Sequence, residues 1–271
     1  MDHYAIIGNP VEHSRSPKIH RLFAEQLQHV LVYEKIEATE KTFQEKVEAF
    51  FTKGGKGVNI TVPFKRLAFS ISDKHGFVAA SCGAVNTLSF SEDGRVYGES
   101  TDGAGLIEDL KNNNVTLEKK SILIIGAGGT AQSIIPSLLA NNAGQIFITN
   151  RTPSNAIKLQ EQYLHLAEIV CLDGGSINRN FDLVINTTSA HLSGELPEVE
   201  PIVVKKATSY DVNYSYGETL FQNWAIKNGA TKSLQGWGML VEQAAESFYI
   251  WRGVRPKTGV VIDRLSSEPE N

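Results

Sequence analysis

The sequence predicts an α/β chain of two successive units, each a largely parallel sheet flanked by helices, and three observations carry that expectation. Short apolar runs alternate with stretches whose apolar residues recur at helical spacing, over nearly the whole chain. The pattern begins afresh at Lys120, where Ser121 to Ile125 is the apolar run that a strand buried on both faces requires. Between the two alternations, Cys82 to Leu110 carries Gly83, Gly94, Gly98, Gly103 and Gly105, a glycine density that reads as turns and a hinge.

Tyr4 to Ile7 is a short apolar strand closed by Gly8-Asn9-Pro10. Ser16-Pro17 reads as an N-cap followed by proline at the first helical position, and Ile19, Leu22, Phe23 and Leu27 carry that helix to about Gln28. Val30 to Glu37 reads as a second strand, Thr42 to Thr52 as a helix that turns Phe43, Val47, Phe50 and Phe51 inward, and Gly57 to Val62 as a third strand. Pro63 ends it because proline has no N–H for the ladder, which puts Thr61 and Lys65 at the mouth of the sheet.

In the second unit, strand 121–125 is followed by glycines, a helix from Thr130 to Asn141, a strand from Gln145 to Thr149, a helix from Pro153 to His165, and strands at Asp182 to Asn186 and Thr208 to Val212. Such crossovers are right-handed and build a doubly wound sheet. Gly238 to Gly253 is helical and apolar on more than one face, so it calls for burial, and its period does not say against which unit. Ser266 to Asn271 reads as a solvated tail.

With 271 residues, 41% of them hydrophobic, the chain can bury a core of ordinary size. A net charge of -4 without a polybasic run argues against nucleic acid or an anionic membrane as partner and favours small molecules. No apolar stretch approaches the roughly 20 residues that a membrane helix needs, so the cytoplasm is expected. Cys82 and Cys171 stand far apart with no CxxC, which suits reduced packing residues rather than a disulfide framework or a zinc site; no metal is expected.

Strand, then Gly126-Ala127-Gly128-Gly129-Thr130-Ala131, then helix is the order of a dinucleotide-binding turn. Glycines let a pyrophosphate approach the backbone, and the helix N-terminus offers N–H donors. At the end of the next strand, where a carboxylate would grip the ribose 2′-hydroxyl of NAD, stand Asn150, Arg151 and Thr152. A guanidinium there accepts a 2′-phosphate, which selects NADP. The first unit places Ser14, Ser16, Thr61, Lys65, Asn86 and Asp102 at its strand ends, a set suited to a hydroxylated carboxylic acid. Each also has a structural explanation, Ser16 and Asp102 as helix caps and Asn86 as a turn former. Together these residues indicate a carbonyl or alcohol oxidoreductase whose acid–base group they do not single out.

SRSPKIH at 14–20, NITVPFK at 59–65, GAVNT at 83–87, STDG at 100–103, GAGGT at 126–130, NRT at 150–152 and GMLVEQA at 238–244 occur in the order of the shikimate dehydrogenase family, which the chain resembles over nearly its whole length. The resemblance implies a substrate domain at 1–101, a Rossmann-type NADP domain at 102–236, and a C-terminal segment at 237–271 returning to the first. It implies reversible NADPH-dependent reduction of 3-dehydroshikimate to shikimate, on the route to aromatic amino acids, by a monomer or homodimer. Lys65 and Asp102 resemble the catalytic pair, Ser14 and Ser16 the carboxylate grips, and Thr61, Asn86, Tyr214 and Gln243 further substrate contacts. Gly126, Ala127, Gly128, Gly129, Thr130, Ala131, Asn150, Arg151, Thr152, Val212, Gly236 and Met239 fall at cofactor positions. An ammonium such as Lys65 suits the chemistry, because negative charge develops on the carbonyl oxygen as hydride arrives.

The chain departs from the family pattern at four places: Ser100 for an asparagine, Asn155 for a second arginine, Phe77 for an acidic residue and Gln235 for an aspartate. The missing second arginine implies a weaker preference for NADP over NAD. Two other readings share the motifs: a quinate/shikimate dehydrogenase with relaxed substrate and cofactor choice, and a non-catalytic NADP-binding sensor or scaffold.

Overall fold

The computed structural model describes residues 1–91 and 93–267. Of the tail expected at Ser266 to Asn271, Ser266 and Ser267 instead close the last helix, and 268–271 lie outside the described residues. The strands and helices expected from apolar patterning are all present, and the α/β class holds. By its internal contacts the chain divides into Met1–Gly105 with Leu240–Arg264, and Leu106–Met239 with Leu265–Ser267.

The first unit contains β1 (Asp2–Gly8), α1 (Ser16–Leu27), β2 (Leu31–Glu37), α2 (Phe43–Thr52), β3 (Gly57–Ile60), α3 (Lys65–Ile71), β4 (Lys74–His75), α4 (Phe77–Cys82), β5 (Thr87–Phe90) and β6 (Val96–Glu99). Its sheet has the order β2-β1-β3-β5-β6-β4, with β1 parallel to both neighbours and β5 antiparallel to both of its own. Ala5, Ile7, Val58, Ile60 and Leu88 from the strands close over Phe43, Val47, Phe50, Phe51 and Phe64, the apolar set of α2 and the turn after β3.

Three expectations change here. The third strand stops at Ile60, and Lys65 opens α3 instead of standing at a strand end. The turn between is closed by Phe64 N–H donating to Thr61 O (3.0 Å) and pinned by the Phe64 ring stacked on Phe43 at 4.9 Å. Ser16 is the first residue of α1 rather than its cap: Arg15 holds the cap position, Pro17 follows inside the first turn, and the Ser16 N–H donates to Ser14 Oγ (3.3 Å). The glycine-rich stretch after Cys82 is more than hinge. It holds the β5–β6 pair, and Gly98 is required within β6 because a Cβ there would lie 2.5 Å from Ser72 Oγ.

The second unit follows α5 (Asp102–Asn112), a helix that begins in the first, and contains β7 (Ile122–Ile125), α6 (Gly129–Ala140), β8 (Ile146–Thr149), α7 (Pro153–Tyr163), β9 (Ile169–Cys171), β10 (Leu183–Asn186), β11 (Thr208–Asp211), α8 (Leu220–Lys227) and β12 (Lys232–Gln235). All six strands are parallel in the order β12-β11-β10-β7-β8-β9. The order reverses between β7 and β10, the place where sheets of this kind bind dinucleotides at the carboxyl ends of their strands. β7, β8 and β10 are buried throughout, which is why they read as unbroken apolar runs.

α9 (Trp237–Arg252) starts in the second unit, and from Leu240 onward belongs to the first; α10 (Gly259–Ser267) follows it. Gly238 is forced by the buried Asp109 carboxylate, which accepts from Tyr210 Oη at 2.6 Å and would lie 1.9 Å from a Cβ at 238. Further along, Trp251 Nε1 donates to Leu88 O (3.0 Å), its ring stacks on Tyr4 at 4.8 Å, and Arg252 pairs with Asp2. The helix is thus held on the first sheet, which settles what its apolar period left open. No helix among the described residues is long and apolar enough to cross a membrane.

Gly57 makes room for that packing, since a Cβ there would lie 2.2 Å from Trp251 Nε1. Gly57→Ala is therefore expected to lower the unfolding free energy by about 2 kcal/mol through overpacking; equilibrium urea denaturation checks it, and an unchanged midpoint would contradict the packing. A second expectation concerns His20, which is buried, has no hydrogen-bond partner for either ring nitrogen among the described residues, and is held at a pKa of about 3 by burial, with the Asn59 side chain pulling the other way. The unfolded chain binds this proton near pH 6.5 and the folded chain does not, so stability is full above 6.5 and falls as the pH drops toward 3, by up to about 1.4 kcal/mol per pH unit. His20→Phe should remove that part of the acid sensitivity, measured as unfolding midpoints from pH 7 to 4.

Candidate active site

Lys65 at the start of α3 and Asp102 at the start of α5 meet at 2.5 Å, Nζ to Oδ2, their side chains 25% and 12% exposed. Such a pair is stable only if the carboxylate's other oxygen is satisfied as well. Asn86 does this: its Nδ2 donates to Asp102 Oδ1 (2.9 Å) and Thr101 Oγ1 (2.9 Å), and its Oδ1 accepts from the Thr101 N–H (2.8 Å). Gln243 on α9 joins through Oε1, which lies 3.3 Å from Asn86 Nδ2, while its Nε2 donates to Leu240 O (2.8 Å). The structure therefore brings Lys65, Asn86, Asp102 and Gln243 together from residues up to 178 positions apart, counting from Lys65 to Gln243. Ser100 leaves this loop well held: its N–H donates to Glu99 Oε1 at 2.8 Å.

Beneath this cluster runs a second layer of polar groups that the sequence reading missed. Asn59 Nδ2 donates to Ser247 Oγ (3.0 Å), Thr87 Oγ1 (3.2 Å) and Asn86 O (3.2 Å), its Oδ1 accepts from Tyr33 Oη (2.7 Å), and Thr87 and Ser247 share a hydrogen bond of 2.7 Å. Asn59 stands among β-branched residues in a buried strand, and that was the available signal, since a polar group there must find partners. Ser14 and Ser16 lie at the front of α1, Ser14 on the wall of a cavity of about 400 Å³ with Arg15, Lys18, Arg21, Tyr33 and Lys35. Thr61 sits over Gly8, where a Cβ would lie 2.3 Å from its methyl.

The second unit carries the other set. Gly126 adopts φ +107°, open to glycine but strained for other residues, and a Cβ on it would lie 2.6 Å from Thr187 Oγ1. Gly128 and Gly129 face open space where an added Cβ would meet nothing within 4 Å, directly at the N-terminus of α6. Such a turn leaves the helix N–H groups open, with no side chain at either glycine, an arrangement that can accept an anion such as a pyrophosphate. Asn150 closes the turn from below, accepting from the Ala127 N–H (3.1 Å) and donating to Thr152 O (2.9 Å). Arg151 and Thr152 are exposed, and Asn155 is exposed on the first turn of α7.

Of the remaining candidates, Thr130 is half-buried, and Ala131 and Met239 are packed into the core. Ala131 therefore supports close helix–strand packing behind the cradle. Gly236 lies against Val212, whose carbonyl oxygen a Cβ would approach to 2.1 Å. Tyr214 is half-exposed and packs on Trp237 at 4.3 Å. Next to Val212, the buried Asp211 gathers Thr219 Oγ1 (2.7 Å), Asn213 Nδ2 (2.8 Å) and Asn186 Nδ2 (3.1 Å); burial pushes its carboxyl up, against those hydrogen bonds. Among the described residues no group of three or more His, Cys, Asp or Glu is placed to hold a metal ion.

Comparison with known proteins bears on both sites. Residues 6–88 match the model of the shikimate dehydrogenase substrate binding domain, 108–201 that of shikimate / quinate 5-dehydrogenase, and 236–265 that of the shikimate 5'-dehydrogenase C-terminal domain. The chain is 45% identical over 269 residues to the shikimate dehydrogenase (NADP(+)) of Alkalilimnicola ehrlichii, covering 98% of this chain and 99% of that one. Its fold matches the Ael1 enzyme of Pseudomonas putida with a TM-score of 0.93 at 37% identity, each chain covered completely (100%). The shikimate 5-dehydrogenase of Thermus thermophilus, solved in complex with NADP(H) and shikimate, matches with a TM-score of 0.87 at 26% identity over 98% of this chain and 100% of that one. Motif order, sheet topology and full-length identity together make this chain a member of the shikimate dehydrogenase family.

Proposed function

We propose that the chain catalyses the reversible NADP-dependent reduction of 3-dehydroshikimate to shikimate, with residues 1–101 and 237–271 binding the acid and residues 102–236 the dinucleotide. The observation that carries this reading is the Lys65–Asp102 pair, held by Asn86 and Gln243 in a polar cluster beside an N-terminal sheet. In this reading Ser14 and Ser16 bind the carboxylate, and Thr61, Asn86, Tyr214 and Gln243 bind the ring hydroxyls. Lys65 donates a hydrogen bond to the substrate's carbonyl oxygen and gives it a proton as the alcohol forms; in the reverse direction it receives that proton. Asp102 orients the ammonium, and Asn86 orients Asp102.

The cofactor, when bound, supplies or accepts the hydride. The cradle at Gly126, Ala127, Gly128, Gly129 and Thr130 would hold its pyrophosphate and Arg151 and Thr152 its 2′-phosphate, with Val212, Gly236 and Met239 as further cofactor positions. With no carboxylate at the end of β8, nothing there repels a 2′-phosphate. We place this activity in the cytoplasm, on small molecules and not nucleic acid, with the chain acting as a monomer or homodimer.

Lys65→Ala should lower kcat by about 10³-fold while raising the shikimate KM only a few-fold, because the lysine acts chiefly where charge develops. Shikimate-dependent NADPH formation, followed by absorbance with quinate as comparator, checks it; near-normal kcat would remove Lys65 from the chemistry. Arg151→Ala should raise the KM for NADP by about 10- to 100-fold, the loss of one or two charge-assisted hydrogen bonds, and leave the KM for NAD unchanged. Equal effects on both cofactors would refute the 2′-phosphate role.

A further inference from the structure

Tyr33, on the edge strand β2, belongs to no motif discussed above, yet it stands between the two polar groups of the first unit. Its Oη donates to Asn59 Oδ1 at 2.7 Å, and the Ser16 side chain faces the same phenol closely enough to favour its ionised form. The ring is held by His20, one helical turn after Ser16, whose imidazole stacks on it at 4.5 Å with the planes 11° apart; Trp251 backs that imidazole at 5.2 Å. One face of α1 thus presents both a hydroxyl to the phenol oxygen and a flat ring to the phenol face. Burial also pushes the phenol well above its ordinary range, so it stays protonated and remains a donor.

We propose that Tyr33 is a positioning residue of the acid-binding site, setting the Ser16 hydroxyl on one side and the Asn59 amide, and through it Asn86, on the other. This rests on the reading that Ser16 grips the substrate carboxylate. A serine hydroxyl has one hydrogen and a free rotor. A fixed phenol oxygen beside it restricts that hydrogen to two useful directions, toward Tyr33 or toward an arriving carboxylate, so less freedom is lost on binding. On the other side, the phenol hydrogen decides which end of the Asn59 amide faces inward. With Oδ1 turned to Tyr33, Nδ2 is committed to Asn86 O, Thr87 Oγ1 and Ser247 Oγ, which holds the backbone from which Asn86 reaches Asp102. His20 meets Tyr33 through its ring face, and neither of its ring nitrogens has a hydrogen-bond partner among the described residues.

Tyr33→Phe keeps the ring and its stack and deletes only the hydroxyl. The expected result is a rise of about tenfold in the KM for shikimate, with kcat within about threefold of wild type and the KM for NADP unchanged. In a Ser16→Ala background the same substitution should raise the shikimate KM by only about twofold, because the group it positions is gone. His20→Phe, which preserves a stacking plate, should leave the shikimate KM within about twofold of wild type. A shikimate KM unmoved by Tyr33→Phe, equal losses for acid and cofactor, or full additivity with Ser16→Ala would each overturn the proposal. Wild-type chain that does not oxidise shikimate would overturn it together with the function; active wild type with an unaffected Tyr33→Phe overturns the Tyr33 role alone.

Discussion

The buried amide of Asn86 is the constraint on which the first unit's site depends. A carboxylate and an ammonium 2.5 Å apart and mostly out of water are favourable only when the remaining oxygen of the carboxylate is also bonded. Asn86 fills that requirement with Nδ2 and uses Oδ1 to hold the Thr101 N–H, so one side chain sets both the Asp102 carboxylate and the backbone that carries it. Because Thr87 Oγ1 donates to Asn86 Oδ1 (3.0 Å) and Asn59 Nδ2 to the Asn86 main-chain oxygen (3.2 Å), with Ser247 bonded to both Asn59 and Thr87, the geometry of the pair is fixed by the sheet and by α9 rather than by a loop.

That dependence explains why a helix so late in the chain is packed on the first sheet. Leu240 to Arg252 brings Gln243 to the cluster, Ser247 to the layer beneath and Trp251 into the gap that Gly57 leaves. The second unit solves a different problem by backbone means. Its glycine turn needs no side chain at Gly128 and Gly129, a positive φ at Gly126, and one amide, Asn150, to close it. On the proposed function, a site for a group as large as a pyrophosphate is built by leaving space, and a site for proton transfer by filling it.

Sequence pattern revealed most of the fold because its elements are individually amphipathic or wholly buried. β7, β8 and β10 are unbroken apolar runs, and α1 and α2 carry clear apolar stripes. The short pieces were illegible: β4 has two residues, α4 six, and β5 and β6 four each, too few to establish a period. β3 ends two residues before the place that the sequence pattern gives it, because Pro63 marks where a ladder cannot continue and not where it stops. Serine before proline is ordinarily an N-cap, whereas here Ser14 takes the amide of Ser16, which stands inside the helix.

Local order along the chain was enough to establish the α/β class, the glycine cradle, the lack of a carboxylate after β8 and the identity of the polar residues near Lys65, since each is a property of neighbours in sequence. Which of those residues bond to one another was a matter of the folded chain. Lys65 with Asp102, Asn86 with Gln243 and Tyr33 with Asn59 are separated by 37, 157 and 26 positions, and hydrogen bonds across such distances are decided by strand register and helix docking. The buried polar layer under the site follows the same rule: its members look like isolated Asn, Thr, Ser and Tyr residues until packing excludes water and leaves each with the others as its partners.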